Sequence, residues 1–360
     1  MASPDPSPTS HDGRRDLAGV TSASDPHLPP LHALAITEQR WRNMAAGIER
    51  FDRWLEDQVA FGLAGLEADP RGGLEPVAAR LTDDQLPSPA SALRGWIPQI
   101  GMEPDWAVGF GRALGYWHLL NRMALQPARL DAETFAGLAL AYGYRLGKAK
   151  LPELGRGVED DWTCVGVVEG NDQQLFYRRT HWRGTAPDRA LTQNTYSYGG
   201  PPPAAQLGVG AYGRLALLAY PGSLPGRAVL PEGARLQDTG AVGPSILPHY
   251  FPTWRAQAAA HVTLARRQPW RRSYPVAVGP LRATVVAQRL GGYTLVLTDS
   301  EGRGVALPLR DSSSLGGTHE ESGAQLLSIV GAEAFVLFGH RAGAELRPWS
   351  VLSGGRLYGL

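Results

Sequence analysis

PELGRGVEDDWTCVGVVEGNDQQLFYRRTHWRG, residues 152–184, is where the chain changes character. From Pro152 onward, β-branched and aromatic residues gather in short runs, 162–170 and 174–184, divided by Gly170-Asn171-Asp172. Runs of that composition around a Gly-Asn-Asp break read as a β-hairpin. Side chains alternate faces along a strand, so Phe176, Arg178, Thr180 and Trp182 share one side. Tyr177, Arg179, His181 and Arg183 share the other, and that side is expected to be the wetter one. A sheet therefore starts here, and what lies on either side decides the fold class.

Upstream the period is helical. Thr37 can cap a helix in which Trp41, Met44, Ile48, Phe51, Leu55, Val59, Leu63 and Leu66 recur at steps of three and four. A short helix is expected over 77–86. Pro104-Asp105 opens another helix, carrying Trp106, Phe110, Leu114, Trp117 and Leu120. Asp131 caps a third, with Phe135, Leu138, Tyr142 and Leu146. Before them, residues 1–35 are rich in Pro, Ser and Asp and read as a disordered tail.

Downstream the strands continue through 189–199 and 214–220. Helix composition returns over 249–270, and strands follow at 278–290, 292–299, 304–309, 334–341, 345–352 and 355–360, with a helix at 321–331 among them. The expected architecture is α+β. It comprises a helical domain (36–152), an antiparallel β module (153–245), and a linking helix with a small barrel-like β module (246–360).

Composition excludes several classes. With 360 residues, 43% hydrophobic content and ten tryptophans, the chain can build real cores. No apolar run is long enough to span a bilayer, so no membrane is expected. The single cysteine, Cys164, allows no internal disulfide, and a cytoplasmic location follows as the expectation. A net charge of +1 gives no general electrostatic footprint for nucleic acid.

Catalytic motifs are missing: there is no G-x-S-x-G, no P-loop and no H-E-x-x-H. Gly208, Gly210 and Gly213 spell G-x-G-x-x-G, but prolines precede them and an apolar strand follows. They read as a loop feeding a strand, with no nucleotide bound. Cys164 near His181 could be a nucleophile, yet a cysteine among valines is usually core. Glu159-Asp160-Asp161 reads as a solvated linker, and His319 beside Glu320-Glu321 as a polar loop. No catalytic residue, cofactor or metal is assigned, and an enzyme with an unrecognised site stays open.

Two clusters of arginine with aromatics stand out. One is Tyr177, Arg179 and Arg183; the other is Trp270, Arg271 and Arg272. Guanidinium groups beside aromatic faces suit a protein partner or single-stranded nucleic acid. Exposed scaffolding arginines are the plain alternative.

Several stretches together resemble bacterial SWIM zinc finger family proteins, in the region that follows the finger. They are ERFDRWLEDQVAFGLAGL (49–66) with Trp54-Leu55, QLFYRRTHWRG (174–184), GRLALLAYPGSLPGRAV (213–229), and the ending AFVLFGHRAGAELRPWSVLSGGRLYGL (334–360) with Phe338-Gly339 and Arg347-Pro348. The similarity covers roughly 40–360. A SWIM finger needs a C-x-C…C-x-H ligand set. Here only Cys164 and the N-terminal His11, His27 and His32 are on offer, so the finger is absent. The resemblance implies a non-enzymatic interaction or adaptor protein, with a MoxR-like AAA+ ATPase or a von Willebrand A-type protein as partner.

Overall fold

The computed structural model describes residues 28–102, 104–172, 175–200, 207–238, 247–288, 292–309 and 320–360. His319 lies outside them, as does most of the expected tail.

The helical half contains α1 (Glu38–Phe61), α2 (Ala64–Ala68), α3 (Pro70–Asp83), α4 (Pro87–Trp96), α5 (Trp106–Ala124), α6 (Ala132–Ala141) and α7 (Leu151–Leu154). The expected caps form: the Thr37 hydroxyl accepts from Arg40 N–H at 3.3 Å, and the Asp131 carboxylate from Thr134 N–H at 2.7 Å. Trp41, Met44, Ile48, Phe51 and Leu55 of α1 meet Phe110, Leu114, Trp117 and Leu120 of α5 in one apolar core. The stripe expected to run on to Leu66 stops earlier. Gly62 at φ 83° ends α1, Val59 is exposed, and Leu66 belongs to α2. Residues 31–34 of the expected tail form a 3-10 turn with Leu34 fully buried in the same core, because two apolar residues, Leu34 and Ile36, precede the cap.

The first sheet contains β1 (Arg156–Asp172), β2 (Leu175–Arg183), β3 (Ala190–Tyr198), β4 (Ala211–Ala219), β5 (Gly226–Val229) and β6 (Gln237–Asp238). The first half of β1, through Thr163, pairs with β4, and the part from Thr163 onward pairs with β2, with a bulge between Cys164 and Gly166. The pairings β2–β3, β3–β5 and β5–β4 then return to the start, so five strands close a ring. All are antiparallel except β3–β5. Val158, Trp162, Cys164, Trp182, Leu191 and Leu217 fill the inside. The acidic run Glu159–Asp161 is therefore ladder, not linker: Asp161 pairs with Arg214 across β1–β4, and the Asp160 carboxylate accepts from Thr185.

The remainder holds α8 (Trp254–Arg267), β7 (Tyr274–Ala287), β8 (Tyr293–Thr298), β9 (Gly304–Leu309), α9 (Glu320–Val330), β10 (Phe335–Ala342), β11 (Glu345–Ser353) and β12 (Arg356–Gly359). The sheet order is β12-β11-β10-β7-β8-β9, and Leu326 and Val330 of α9 pack into its core. Asp299 fixes α8 to the sheet: its carboxylate accepts from Trp254 N–H at 2.8 Å and from Glu301 and Arg303 N–H. Burial alone would raise its pKa, but those three backbone donors hold it below the ordinary value.

The two sheets meet directly. Val165 of the ring packs with Phe338, Leu352 and Leu357 of the second sheet, and Ser350 Oγ donates to the Val165 carbonyl. Gly166 is required at this contact, since a Cβ there would lie 2.8 Å from the Trp349 side chain.

Candidate functional site

A cleft of about 560 Å³ opens where β2 and β3 of the ring face β10 and β11. That volume is ordinary for a ligand or segment pocket. The alternation expected for β2 is what lines it: Tyr177, Arg179, His181 and Arg183 all face the cleft. From β3 come Thr192 and Asn194, and from the second sheet His340, Arg347 and Trp349. Arg271 closes the floor from the segment before β7.

The charge is lopsided. Arg179, Arg183, Arg271 and Arg347 share the lining with one acidic side chain, Glu169, which is itself ion-paired to Arg178. Arg347 is held by both oxygens of Glu345. The other three form no hydrogen bond or ion pair with a carboxylate among the described residues. Arg179 is exposed at the rim, its guanidinium 4.7 Å over the Tyr177 ring.

Arg183 departs from expectation. It is only 4% exposed, because the segment around His249 lies across it: its Nε donates to the His249 carbonyl at 2.9 Å, and His249 N–H bonds to Gly184. Arg271 donates to the carbonyls of Ser273 and Pro225 and to Gln268 Oε1. Burial pulls both guanidinium groups down to about 10. Carbonyl dipoles solvate these charges without neutralising them.

His181 stacks on Trp349, centroids 3.6 Å apart and planes 14° apart, and Trp349 also meets His340 at 5.2 Å. Burial, reinforced by His340 and Arg179, lowers the His181 pKa to about 3. The ring is neutral at physiological pH and too weak a base for proton transfer there.

Trp270 and Arg272 lie elsewhere. The Trp270 indole sits against Gly137 of α6, where a Cβ would collide with it. Its carbonyl accepts from Tyr116 Oη at 2.8 Å, and Arg272 lies 3.9 Å over the Tyr116 ring. Gln268, 2% exposed, donates to Ser223 and Pro225 of the ring. Residues 268–272 thus join the bundle, the ring and the second sheet. Of that cluster, only Arg271 reaches the cleft.

The other sequence candidates resolve simply. Cys164 is fully buried inside the ring, its Sγ 3.7 Å from the Gly166 carbonyl. Gly213 lies within β4, paired with Trp162 of β1, so the glycine motif ends in a strand and not at a helix start. Among the described residues, Asp52, Glu56 and His118 place three ligand atoms within 4.8 Å of one another. Asp52 is already engaged there, by His118 Nδ1 at 2.9 Å and Asn121 Nδ2 at 3.2 Å, and Asn121 accepts in turn from Tyr142 Oη. That network ties buried Asp52 to the bundle, while His118 is half-exposed and Glu56 exposed. Only the i,i+4 spacing of Asp52 and Glu56 was visible in the sequence; His118 lies a whole helix away.

Residues 39–139, α1 through nearly all of α6, match the family model of the SWIM-associated four-helix bundle domain. The helical half is similar to the SWIM-associated bundle. This agrees with the region that follows the finger in SWIM proteins, and the 49–66 stretch lies inside the match. The matched helices contribute Gly137 and Tyr116 to the junction, while the cleft lies beyond the matched residues. No curated protein and no solved structure matches the chain. No helix among the described residues is long and apolar enough to cross a membrane.

Proposed function

We propose that the chain is a non-enzymatic interaction protein, an adaptor of the SWIM type working in the cytoplasm, and that the cleft between its sheets is the contact site. The observation that carries this reading is the set of three arginines, Arg179, Arg183 and Arg271, that face one opening and form no hydrogen bond or ion pair with a carboxylate among the described residues. Buried unpaired charge is costly, and a binding partner that brings negative charge recovers that cost. His181 Nδ1 reaches Thr192 Oγ1 at 3.2 Å, but with its pKa lowered to about 3 it is a poor base for activating that hydroxyl, and Cys164 is core, which favours binding over catalysis. The resemblance supplies the partner class to seek, a MoxR-like AAA+ ATPase or a von Willebrand A-type protein.

Single-stranded nucleic acid fits less well. Trp270 is packed into the junction, and Arg179 covers Tyr177, so these aromatic faces are not free to stack bases.

Tagged chain recovered from native cells, wild type beside Arg179→Glu, tests the reading by mass spectrometry. The expected result is a partner, of ATPase or von Willebrand A type, that the variant fails to retain. Identical protein sets from both would refute the assignment of the cleft.

A further inference from the structure

Among the described residues, Trp349 and Asn194 of the cleft lining carry buried polar atoms with no hydrogen-bond partner, as does Trp182, whose indole is packed into the ring core. Trp349 Nε1, a donor, and Asn194 Oδ1, an acceptor, are shielded from solvent and unbonded. Both residues line the cleft. A buried polar atom without a partner costs the desolvation of that group, so an occupant offering one acceptor and one donor is favoured. The same walls carry the guanidinium groups of Arg179, Arg183 and Arg271, of which Arg183 feels a nearby carboxylate, Asp188, and an apolar strip of Val165, Val167 and Val276.

We propose that the occupant is an acidic peptide segment of a protein partner. Its Asp or Glu carboxylate meets the arginines, a backbone carbonyl accepts from Trp349 Nε1, and a backbone N–H donates to Asn194 Oδ1. The proposal rests on the cleft being the contact site and adds the chemistry of what enters it. A peptide unit carries both a donor and an acceptor. A free phosphate offers chiefly acceptors, which would leave Asn194 Oδ1 unbonded. The valines suit aliphatic side chains or stems next to the carboxylates. Bases would need open aromatic faces, and the Trp349 ring already stacks on His181.

The probe is a fluorescein-labelled hexapeptide of alternating glutamate and valine, read by anisotropy against the full chain. Its glutamine counterpart, inorganic phosphate and a short thymidine oligonucleotide are the comparisons. The glutamate peptide is expected to bind saturably, about tenfold or more tighter than the glutamine one, and to weaken as salt rises. Arg179→Glu should lose about tenfold in affinity, and Arg179→Lys should keep most of it. The indole N–H resonance of Trp349 should move on binding, which a general surface attraction would not cause.

Equal binding of the glutamine peptide, or none of the glutamate peptide, overturns the proposal. Displacement by phosphate as effective as by unlabelled peptide would make the site one for free anions. Tighter binding of the oligonucleotide would make it one for nucleic acid. Failure of the peptide alongside Arg179-dependent recovery of a partner from cells sinks this inference alone. Peptide binding with no such partner sinks the adaptor reading alone.

Discussion

Residues 177–183 and 268–272 look alike on paper: arginines interleaved with aromatic residues at the edge of a sheet. In the fold they do opposite things. The first group turns its side chains to an open cleft, with Arg179 exposed at the rim. The second turns inward apart from Arg271, which also reaches the cleft: Trp270 sits against Gly137, and Gln268 and Arg271 bond to the loop before β5. What separates them is what covers each segment. A helical bundle closes over one, and only a single loop at His249 closes over the end of the other. Guanidinium and aromatic groups serve equally as mortar between modules and as a binding lining, so their composition alone does not assign a role.

Substitutions should expose that difference in order of size. Trp270→Ala empties the slot beside Gly137 and should cost about 3 kcal/mol, the low end for losing a large aromatic that is only partly buried. Urea denaturation would show it; a loss below about 0.5 kcal/mol would mean that the junction carries little load.

Gln268→Leu removes the donor to three acceptors at Ser223 and Pro225 and the acceptor for Arg271. A loss of roughly 1–3 kcal/mol is expected in the same assay. A neutral result would show that water replaces those bonds.

Above the carboxylate range, acid should act through histidines whose pKa burial lowers. Burial holds His181 near 3, and His249 and His261 below the ordinary 6.5. The unfolded chain therefore binds protons more readily, and their contribution is complete above about pH 6.5 and declines as pH falls toward 3. Urea midpoints should fall over that window, and His181→Gln should flatten the decline. An unchanged slope in the variant would place the pH sensitivity elsewhere.

Arg179→Glu should be the mildest change to stability, within about 0.5 kcal/mol, because the residue is exposed and has no ion pair to lose. A larger loss would make Arg179 scaffolding after all.

Local signals carried much of the fold. Caps at Thr37 and Asp131, three-four spacing and β-branched runs place α1, α5, α6 and most strands within a few residues. The prolines at 87 and 89 disguised α4, although both occupy its first turn, where the missing N–H groups are no loss. Closure of the ring was not legible, because it depends on β1 bending at the Cys164–Gly166 bulge and on the parallel β3–β5 pair. For the site, alternation along 174–184 predicted which side chains share a face. Burial of Arg183 was decided by His249, 66 residues away, and the opposite wall comes from Arg347 and Trp349 near the C-terminus. Such meetings are tertiary and leave no local trace.

The sharpest single measurement is a paired comparison of Arg179→Glu and Trp270→Ala, reading urea stability and binding of the glutamate peptide per folded molecule. Arg179→Glu should keep its stability and lose about tenfold in affinity; Trp270→Ala should lose about 3 kcal/mol and, once folded, bind like wild type. The reverse pattern, with binding lost at Trp270 and stability lost at Arg179, would contradict the division of labour between the two clusters.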